Sequence, residues 1–485
     1  MARAKKEFYR GFMLEQLADS LCGMEPYRVR VVEPLRFTTP AEREAALERA
    51  NFNLYALHAG DVLIDLLTDS GTCAISGNQM AAMMQGDESY AGSASFFRME
   101  RAIRELFAIE HVIPVHQGRA AERLLLQTLA APGSLLPSNT LFDTTRANCL
   151  DLGIRPVDLP VAGFWDFDSA DPFKGNIDLD ALEKWLSGPE AARIPFVLLT
   201  ITNNICADQP VSMQNLRRAG EIAHRHGKPL FLDACRFAQN AWFIQQYEEG
   251  YEGRAIRAIV AEIFSHADGC FVSAKKDAMA QIGGFLAVRS AALAAQLRQR
   301  LLLAEGFVTY GGMTGRDMEA VAAGLYEGTE AGHLGYRMEM TRYLHQQLQR
   351  RGIAVLSPPG GHAVYLPVAG ILPHLAAGEQ PGQALAVELY REGGIRSTRM
   401  ILRPDHGPRA GECVELLRLA LPNRVYSARH MDYVAVCLER VLARASAISG
   451  MAIVSQPELL GGFMAQYQQL PMAACAGSSG DRGIL

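Results

Sequence analysis

The chain has 485 residues, with 47 Lys and Arg against 52 Asp and Glu, and its formal net charge is −5. Hydrophobic residues make up 49% of it and charged residues 20%, which supports a large core and excludes global disorder. The near balance of charge argues against a nucleic-acid binder. The sequence has no run of ~18 apolar residues, so no membrane span is predicted.

The cysteines and the N-terminal segment both favour a cytoplasmic protein. Nine cysteines are scattered without C-x-x-C spacing, a pattern typical of reduced thiols rather than of disulfides or a zinc site. The first residues are basic but have neither a clear apolar stretch nor a small-residue cleavage site, which disfavours secretion.

Five short apolar runs alternate with helical patterns and predict buried strands. In chain order they are HVIPV (111–115), FVLLTIT (196–202), PLFLDA (229–234), GCFVSA (269–274) and GGFLAV (283–288). The helical stretch MQNLRRAGEIAHRHGK ends at Gly227, which suits a helix C-cap. Strands that alternate with helices predict an α/β fold with a mostly parallel sheet covered on both faces.

Beyond Gly315 the pattern becomes long and helical, and two weaker strands follow at AVYLPV (363–368) and ELLRLAL (415–421). These features predict a second, smaller α+β domain. We expect an N-terminal extension at 1–24, an arm that joins the small domain at 25–70, a large domain at 71–325, the small domain at 326–470 and a disordered tail at 471–485.

The first candidate site follows the strand at 111–115. There Gln117, Gly118 and Arg119 form a turn that leads into a helix. The N-terminus of a helix presents free N–H groups and the positive end of the helix dipole, so this turn suits a phosphate group. Strand–glycine–helix turns are also common without a ligand.

Two further strand ends carry polar residues. Asp233 ends one strand with Arg236 three residues later, a pair suited to a protonated ring nitrogen and an anionic oxygen, or to an ordinary ion pair. Ser273, Lys275 and Lys276 follow another strand. A lysine at a strand end near a phosphate site is what a pyridoxal phosphate enzyme needs, although a Lys-Lys pair in isolation is typical of a solvated loop.

These motifs, taken in order, are similar to those of the β-eliminating lyases, the tryptophanase and tyrosine phenol-lyase family within the type I aspartate-aminotransferase fold. The resemblance runs from residue 25 to about residue 468. It rests on the segments EPYRVRVVEP (25–34), IDLLTDSGT (64–72), GDESYAGS (86–93), PVHQGRAAE (114–122), FDTTR (142–146), QPVSMQNL (209–216), LDACRFAQNAWFI (232–244), SAKKDAM (273–279), YGGMTGRDMEA (310–320), GGHAVY (360–365) and LLRLALPNRVYSARHMD (416–432).

The resemblance implies pyridoxal 5′-phosphate as the cofactor. Lys276 matches the lysine that carries the cofactor and removes the Cα proton of the substrate. Asp233 matches the residue that keeps the pyridine nitrogen of the cofactor protonated, and Arg236 matches the partner of its phenolic oxygen. The other implied cofactor contacts are Gln117, Gly118, Arg119 and Ser273 at the phosphate, Phe142 stacked on the ring, and Asn204 and Lys275 beside it.

The resemblance also implies how an amino acid is held. Asn204 and Arg418 match the residues that grip the substrate carboxylate, helped by Thr68 and Ser70. Tyr90 matches a tyrosine that handles the proton of the leaving group and reaches the site from a neighbouring subunit. The plain alternative for Tyr90 is a buried core tyrosine.

A monovalent cation, K⁺, and a homotetramer with active sites at subunit interfaces are implied as well. Gly71 and Glu88 match the positions that hold the cation. The residues themselves predict neither the cation nor the assembly.

Two positions favour the tryptophanase branch. Asp143 matches an aspartate where the phenol-lyases carry threonine, and it could equally cap a helix ahead of Thr144. Met400 falls where the phenol-lyases place an arginine for the phenol hydroxyl. Arg399 is adjacent, but on a strand it would face the other way.

Several departures cluster on the leaving-group side. Gly462 stands where tryptophanases carry a histidine, which removes a polar group and leaves space. Ala207 and Asp208 replace a Gly-Gly pair, Tyr55 replaces a phenylalanine that lines the substrate pocket, and Ala120 replaces a glycine. This pattern predicts retained β-elimination with an altered side-chain pocket.

The sequence therefore predicts a carbon–carbon lyase for an aromatic L-amino acid, by preference tryptophan to indole, pyruvate and ammonia. Catalysis would use Lys276, with Tyr90 and Asp143 assisting protonation of the leaving carbon. Alternative substrates are tyrosine, a substituted tryptophan or an S-substituted cysteine. A non-catalytic homologue is a further alternative, and the intact Lys276, Asp233, Arg236 and Arg418 argue against it.

Overall fold

The computed structural model describes residues 25–205, 207–402, 409 and 411–471. The predicted N-terminal extension and all but the first residue of the predicted tail lie outside the described residues. Six cysteines lie within the described ranges and all have free thiols: Cys73, Cys149, Cys235, Cys270, Cys413 and Cys437. Over these ranges, no helix has the length and apolar character needed to cross a bilayer.

The strands, in chain order, are β1 (Ile64–Asp65), β2 (His111–Val115), β3 (Leu135–Ser138), β4 (Arg155–Asp158), β5 (Val197–Thr200), β6 (Leu230–Asp233), β7 (Gly269–Ser273), β8 (Gly284–Val288), β9 (Ala363–Pro367), β10 (Ile395–Arg396), β11 (Thr398–Leu402), β12 (Val414–Ala420), β13 (Met451–Ser455) and β14 (Gln466–Gln469).

The α-helices are α1 (Pro40–Arg49), α2 (Gly77–Met83), α3 (Ala94–Phe107), α4 (Gly118–Leu129), α5 (Asp143–Asp151), α6 (Leu179–Ser187), α7 (Met213–Arg225), α8 (Phe237–Tyr247), α9 (Ile256–Ser265), α10 (Ala291–Ala304), α11 (Gly315–Gly328), α12 (Ala331–Gln349), α13 (Val368–Ile371), α14 (Pro381–Gly393), α15 (Ala428–Leu442) and α16 (Gly461–Met464). Gly227 follows the C-cap of α7 with a φ of +66°, as its predicted role requires.

A seven-stranded sheet in the order β2-β8-β7-β6-β5-β3-β4 forms the centre of the large unit. Its β4, β3, β5, β6 and β7 are parallel, and β8 runs antiparallel to both β7 and β2. The five predicted strands are all in this sheet. The sequence patterns did not reveal β3 and β4, because a proline interrupts each of these four-residue strands.

Both faces of this sheet are covered by buried apolar side chains, as a near-continuous hydrophobic strand pattern requires. The carboxyl ends of β5, β6 and β7 meet at one edge, with Thr200 paired to Asp233 and Asp233 to Phe271. Polar residues at the ends of these strands are therefore brought together by backbone pairing.

A three-stranded antiparallel sheet, β11-β12-β9, packs with α12, α14 and α15 in a second core. The early segment joins this part of the fold, because β1 pairs with β10 and the Leu66 carbonyl accepts a hydrogen bond from the Ala420 N–H. Strands β13 and β14 form a separate two-stranded sheet.

The segment after β7, which carries Lys276, is held by a close helix approach. A side chain at Gly324 or Gly328 of α11 would collide with the carbonyl oxygen of Ala278 or Asp277. These glycines let α11 pack directly against the backbone that follows the lysine, so α11 supports the position of Lys276.

We predict that Gly324→Ala lowers the free energy of unfolding by about 1–3 kcal/mol, because the added methyl overpacks this contact. Gly335→Ala is the matched control, since it also lies inside a helix but has no atom within 4 Å of the added carbon. That variant should gain up to about 1 kcal/mol from helix propensity. Urea unfolding of both variants is the measurement, and equal effects would contradict the packing argument.

Candidate active site

The predicted phosphate turn forms as expected at the start of α4. Gln117 is the N-cap residue, and among the described residues no side chain caps this helix. A Cβ added to Gly118 would lie 2.7 Å from the Cβ of Ser273, so only glycine allows the helix N-terminus to sit this close to the end of β7. The exposed backbone N–H groups and the Ser273 side chain therefore share one small space.

Several cationic side chains lie beside this turn. Burial, together with the charges of Lys276 and Arg119, lowers the pKa of Lys275. Three cationic side chains thus lie near one another beside the turn. A dianionic phosphate would relieve their mutual repulsion.

Asp233 lies at the end of β6, as predicted, and is buried. Burial raises the pKa of its carboxyl group, and the charges of Lys276 and Arg236 only partly oppose this. The Cys235 N–H donates a hydrogen bond of 3.4 Å to one oxygen. A protonated ring nitrogen placed against this carboxylate would supply the cation that it lacks.

Arg236 lies in a buried ion pair that the sequence did not predict. Its Nε and Nη2 donate to the two carboxylate oxygens of Asp69, at 3.1 and 2.8 Å. Burial opposes ionisation of Asp69, but the charge and hydrogen bonds of Arg236 prevail and hold the pKa of this carboxyl well below its usual range. Arg236 is therefore fixed and fully charged.

His362 connects Arg236 to Asp208. The Arg236 Nη2 donates to His362 Nε2 at 3.1 Å, so the ring proton lies on Nδ1, which is 2.5 Å from a carboxylate oxygen of Asp208. The backbone N–H of His362 donates to the same oxygen. Burial and the charge of Arg236 lower the pKa of His362, which keeps the ring neutral.

Ala207 and Asp208, which stand where the resemblance places a Gly-Gly pair, both adopt the left-handed backbone conformation that glycine favours. Ala207 has a φ of +50° and Asp208 a φ of +65°. Gly360 and Gly361 provide the space, because a Cβ on Gly360 would lie 2.6 Å from the Asp208 Cβ. The Asp208 carboxylate is thus buried against a complementary glycine pair.

Arg418 and Asn204 lie together, as predicted. Arg418 Nη1 donates to Asn204 Oδ1 at 3.0 Å, and Nη2 donates to the Leu67 carbonyl at 2.9 Å. The Tyr365 hydroxyl donates to the same Asn204 oxygen at 3.1 Å. Arg418 Nε is buried without a partner in the described part of the chain, so its guanidinium can accept a ligand carboxylate.

Thr68 and Ser70 lie in the loop that begins at this Leu67 carbonyl, and the Ser70 N–H donates to Thr68 Oγ1 at 3.1 Å.

Phe142 is the N-cap residue of α5 and Asp143 its first helical residue. The predicted alternative of Asp143 as the N-cap is therefore wrong by one position. Partial burial raises the pKa of the Asp143 carboxyl, with Arg418 opposing the effect.

Met400 and Arg399 face opposite sides of β11, as predicted. Met400 is buried, with its Sδ 4.0 Å from Asn204 Nδ2. Arg399 points away, and its Nη2 donates to the Tyr467 hydroxyl at 3.1 Å. The apolar Met400 side chain therefore lines the site beside Asn204.

Tyr90, Gly71 and Glu88 are not brought to the same place. Tyr90 is 68% exposed and contacts Phe307 and Tyr310, so the alternative of a buried core tyrosine is wrong. Gly71 donates its N–H to the Lys275 carbonyl at 2.8 Å, whereas Glu88 accepts from the Gly315 N–H at the start of α11. The described residues contain no cluster of three or more acidic, His or Cys ligands for a metal.

Glu122 is a buried titratable residue of the site that the sequence reasoning missed. It lies one turn into α4 and accepts a 3.0 Å hydrogen bond from Thr144 of α5. Burial and the nearby charge of Asp233 raise its pKa to about 7. Only its position in GRAAE, four residues after the turn glycine, could have drawn attention to it.

With this geometry established, the comparisons with known proteins decide the family. The sequence profile described as Beta-eliminating lyase matches residues 65–437. The chain belongs to the β-eliminating lyase family. A tryptophanase from Salinibacter ruber is 50% identical over 92% of this chain and 95% of its own length. A tyrosine phenol-lyase from Symbiobacterium thermophilum is 42% identical over 92% and 98%.

The solved structures agree on the fold. A serine palmitoyltransferase from Sphingomonas wittichii matches with a TM-score of 0.59 at 18% identity, covering 84% of this chain and 97% of that one. The likeness shows the fold alone. The predicted family and the predicted type I fold with a mostly parallel sheet are both confirmed, and the relatives indicate a carbon–carbon lyase.

We predict that Asp208→Asn lowers the free energy of unfolding by about 2–4 kcal/mol, because Arg236 loses one of its two buried counter-charges. Asparagine tolerates the left-handed backbone, so the loss would report charge rather than strain. Ala207→Gly is the control for strain and should gain up to about 1 kcal/mol. Equal stability of Asp208→Asn and the wild type in urea would contradict the assignment.

A second prediction concerns pH. The native pKa of Glu122, about 7, lies above its ordinary value of 4.5, so the native state holds a proton that the unfolded chain has lost between these pH values. Stability therefore falls as pH rises through this window. Glu122→Gln should remove about 2–3 kcal/mol of the wild-type loss between pH 5 and pH 8. Parallel pH profiles for the two proteins in chemical unfolding would exclude this role.

Proposed function

We propose that this chain is a pyridoxal-phosphate-dependent lyase that eliminates the β-substituent of an aromatic L-amino acid, by preference tryptophan to indole, pyruvate and ammonia. The observation that carries the proposal is the partly buried Arg418 guanidinium, whose buried Nε has no partner among the described residues. It provides an amino-acid carboxylate site on the same side of the fold as Asp233 and the phosphate turn. The family membership and the 50% identical tryptophanase support the proposal.

The residues present fit pyridoxal phosphate. The uncapped α4 terminus, Ser273 and the neighbouring Arg119 and Lys275 suit its phosphate, Asp233 suits its ring nitrogen, and Lys276 is the lysine that would carry it. When bound, the cofactor supplies an electron sink for the pair left by cleavage of a Cα–H bond.

The side chains of this chain divide the remaining work. Arg418 and Asn204 hold the substrate carboxylate, with Thr68 and Ser70 in the adjoining loop, and thereby orient the Cα–H bond. Lys276 takes the Cα proton, and Asp233 retains the proton on the ring nitrogen. Arg236, fixed by Asp69, would face the phenolic oxygen.

Proton delivery to the leaving carbon belongs to Tyr90 and Asp143. The raised pKa of Asp143 favours its protonated, donating form. Tyr90 is exposed and not beside Lys276 in its own chain, which supports its delivery to the site of a neighbouring subunit. We infer a cytoplasmic homotetramer with active sites at subunit interfaces, and the exposed apolar residues Met84 and Phe97, in the same stretch of the chain as Tyr90, suit such contacts.

We also propose that K⁺ binds between subunits, at the Gly71 backbone of one chain and the Glu88 carboxylate of another. Within one chain the two lie apart, because Gly71 adjoins the Lys275 backbone whereas the half-exposed Glu88 carboxylate lies at the start of α11. The alternative substrates remain tyrosine, a substituted tryptophan and S-substituted cysteines. The tyrosine alternative is supported by the phenol-lyase relatives and opposed by the apolar Met400.

The test is pyruvate release by the purified protein, loaded with pyridoxal phosphate in potassium buffer. We expect turnover of L-tryptophan well above that of L-tyrosine, S-methyl-L-cysteine as a good substrate, and loss of at least 10³-fold in Lys276→Ala. Lys228→Ala, in the connection between α7 and β6, is the matched control and should keep full activity. Turnover of S-methyl-L-cysteine alone would contradict the aromatic assignment.

A further inference from the structure

We propose that the hydroxyl group of Tyr55 determines specificity by accepting a hydrogen bond from a ring N–H of the leaving group. The inference rests on the proposed function and names the recognised feature, a donor-only nitrogen such as that of an indole. It assigns a role to a residue that departs from the family pattern at this position.

The wall of the site next to Arg418 includes Tyr55. The Tyr55 hydroxyl lies 3.1 Å from Thr398 Oγ1. Thr398 pairs with Arg418 across β11 and β12, and Met400, two residues along β11, contacts Asn204. A substrate held by Arg418 would therefore meet Tyr55, Thr398 and Met400 along one continuous surface.

The hydrogen-bond directions leave the Tyr55 oxygen as an acceptor. Thr398 Oγ1 donates its single proton to the Arg399 carbonyl at 3.2 Å. Either hydroxyl could donate across the contact between Thr398 and Tyr55, and we assign the proton to Tyr55 because the single proton of Thr398 is directed at the Arg399 carbonyl. Tyr55 is partly exposed, and a phenolic oxygen that donates its own proton keeps lone pairs that can accept.

Gly462 lies on the same side and leaves room. A Cβ at Gly462 would have no atom within 4 Å, and the next residue, Phe463, packs its ring 4.7 Å from that of Tyr55. Asn53 ties the two segments together, accepting from the Tyr55 N–H at 3.0 Å and donating to the Ala465 carbonyl at 2.7 Å. The polar group absent at Gly462 is thus replaced by a hydroxyl on an adjacent, rigidly held ring.

The chemistry favours a ring N–H over other leaving groups. An indole nitrogen donates and cannot accept, so it complements an oxygen whose own proton is already used. The surrounding Met400 and Phe463 side chains are apolar, and an unpaired N–H there would be costly. A sulfur in place of the nitrogen would keep the shape and lose the donor.

The experiment compares the wild type with Tyr55→Phe, using S-methyl-L-cysteine turnover as the assay. Free indole and benzothiophene, its sulfur isostere, are added as competitive inhibitors. We expect the inhibition constant of indole to rise about fivefold to tenfold in Tyr55→Phe and that of benzothiophene to change less than twofold. kcat/KM for L-tryptophan should fall by the same factor, and it should fall more than kcat/KM for S-methyl-L-cysteine, whose leaving group has no ring N–H.

Tyr343→Phe is the control, since it also removes a hydroxyl. The Tyr343 hydroxyl of α12 donates to Asp432 of α15. Equal changes for indole and benzothiophene, or none for either, would overturn the role of Tyr55. The inhibitor arm does not need tryptophan turnover. A different result is a wild type that fails to turn over tryptophan while the inhibition constant of indole, and not that of benzothiophene, rises from the wild type to Tyr55→Phe. That result would overturn the proposed substrate and support the role of Tyr55.

Discussion

The buried guanidinium of Arg236 is the interaction on which the site depends. It is reached by Asp69 from the early segment, by Asp208 from the turn after β5 and by His362 at the start of β9. A cation removed from water must be neutralised where it lies. The three segments that supply its partners are thereby held in one arrangement, and the two sheets are fixed relative to each other around the cofactor position.

Parallel pairing explains why so much of the site was predictable. Residues that follow β2, β5, β6 and β7 share one sheet edge whatever lies between them in sequence, so the phosphate turn, Asp233 and Lys276 could be grouped from patterns alone. The short apolar runs also gave the strands themselves. The family resemblance then added Asn204, in the turn after β5, and Arg418, on β12 of the other sheet.

Long-range partners were not predictable in the same way. His362, Asp69 and Glu122 acquire their roles from contacts with residues far along the chain, and no local spacing signals them. β3 and β4 are short and interrupted by proline, which obscures a period-2 pattern. The position of Asp143 differs by one residue because Phe142, without a capping side chain, takes the extended N-cap conformation.

The fit of Asp208 against Gly360 and Gly361 has an evolutionary consequence. A side chain at 360 would meet the Cβ of Asp208 and also the carbonyl oxygens of Ala207 and Asp208, and one at 361 would meet Gln239 Oε1. The backbone of the turn therefore excludes a side chain at 360 whatever residue stands at 208. Mutational paths are ordered by this constraint. The side chain at 208 can change while Gly360 stays, whereas Gly360 cannot change until the turn itself has moved.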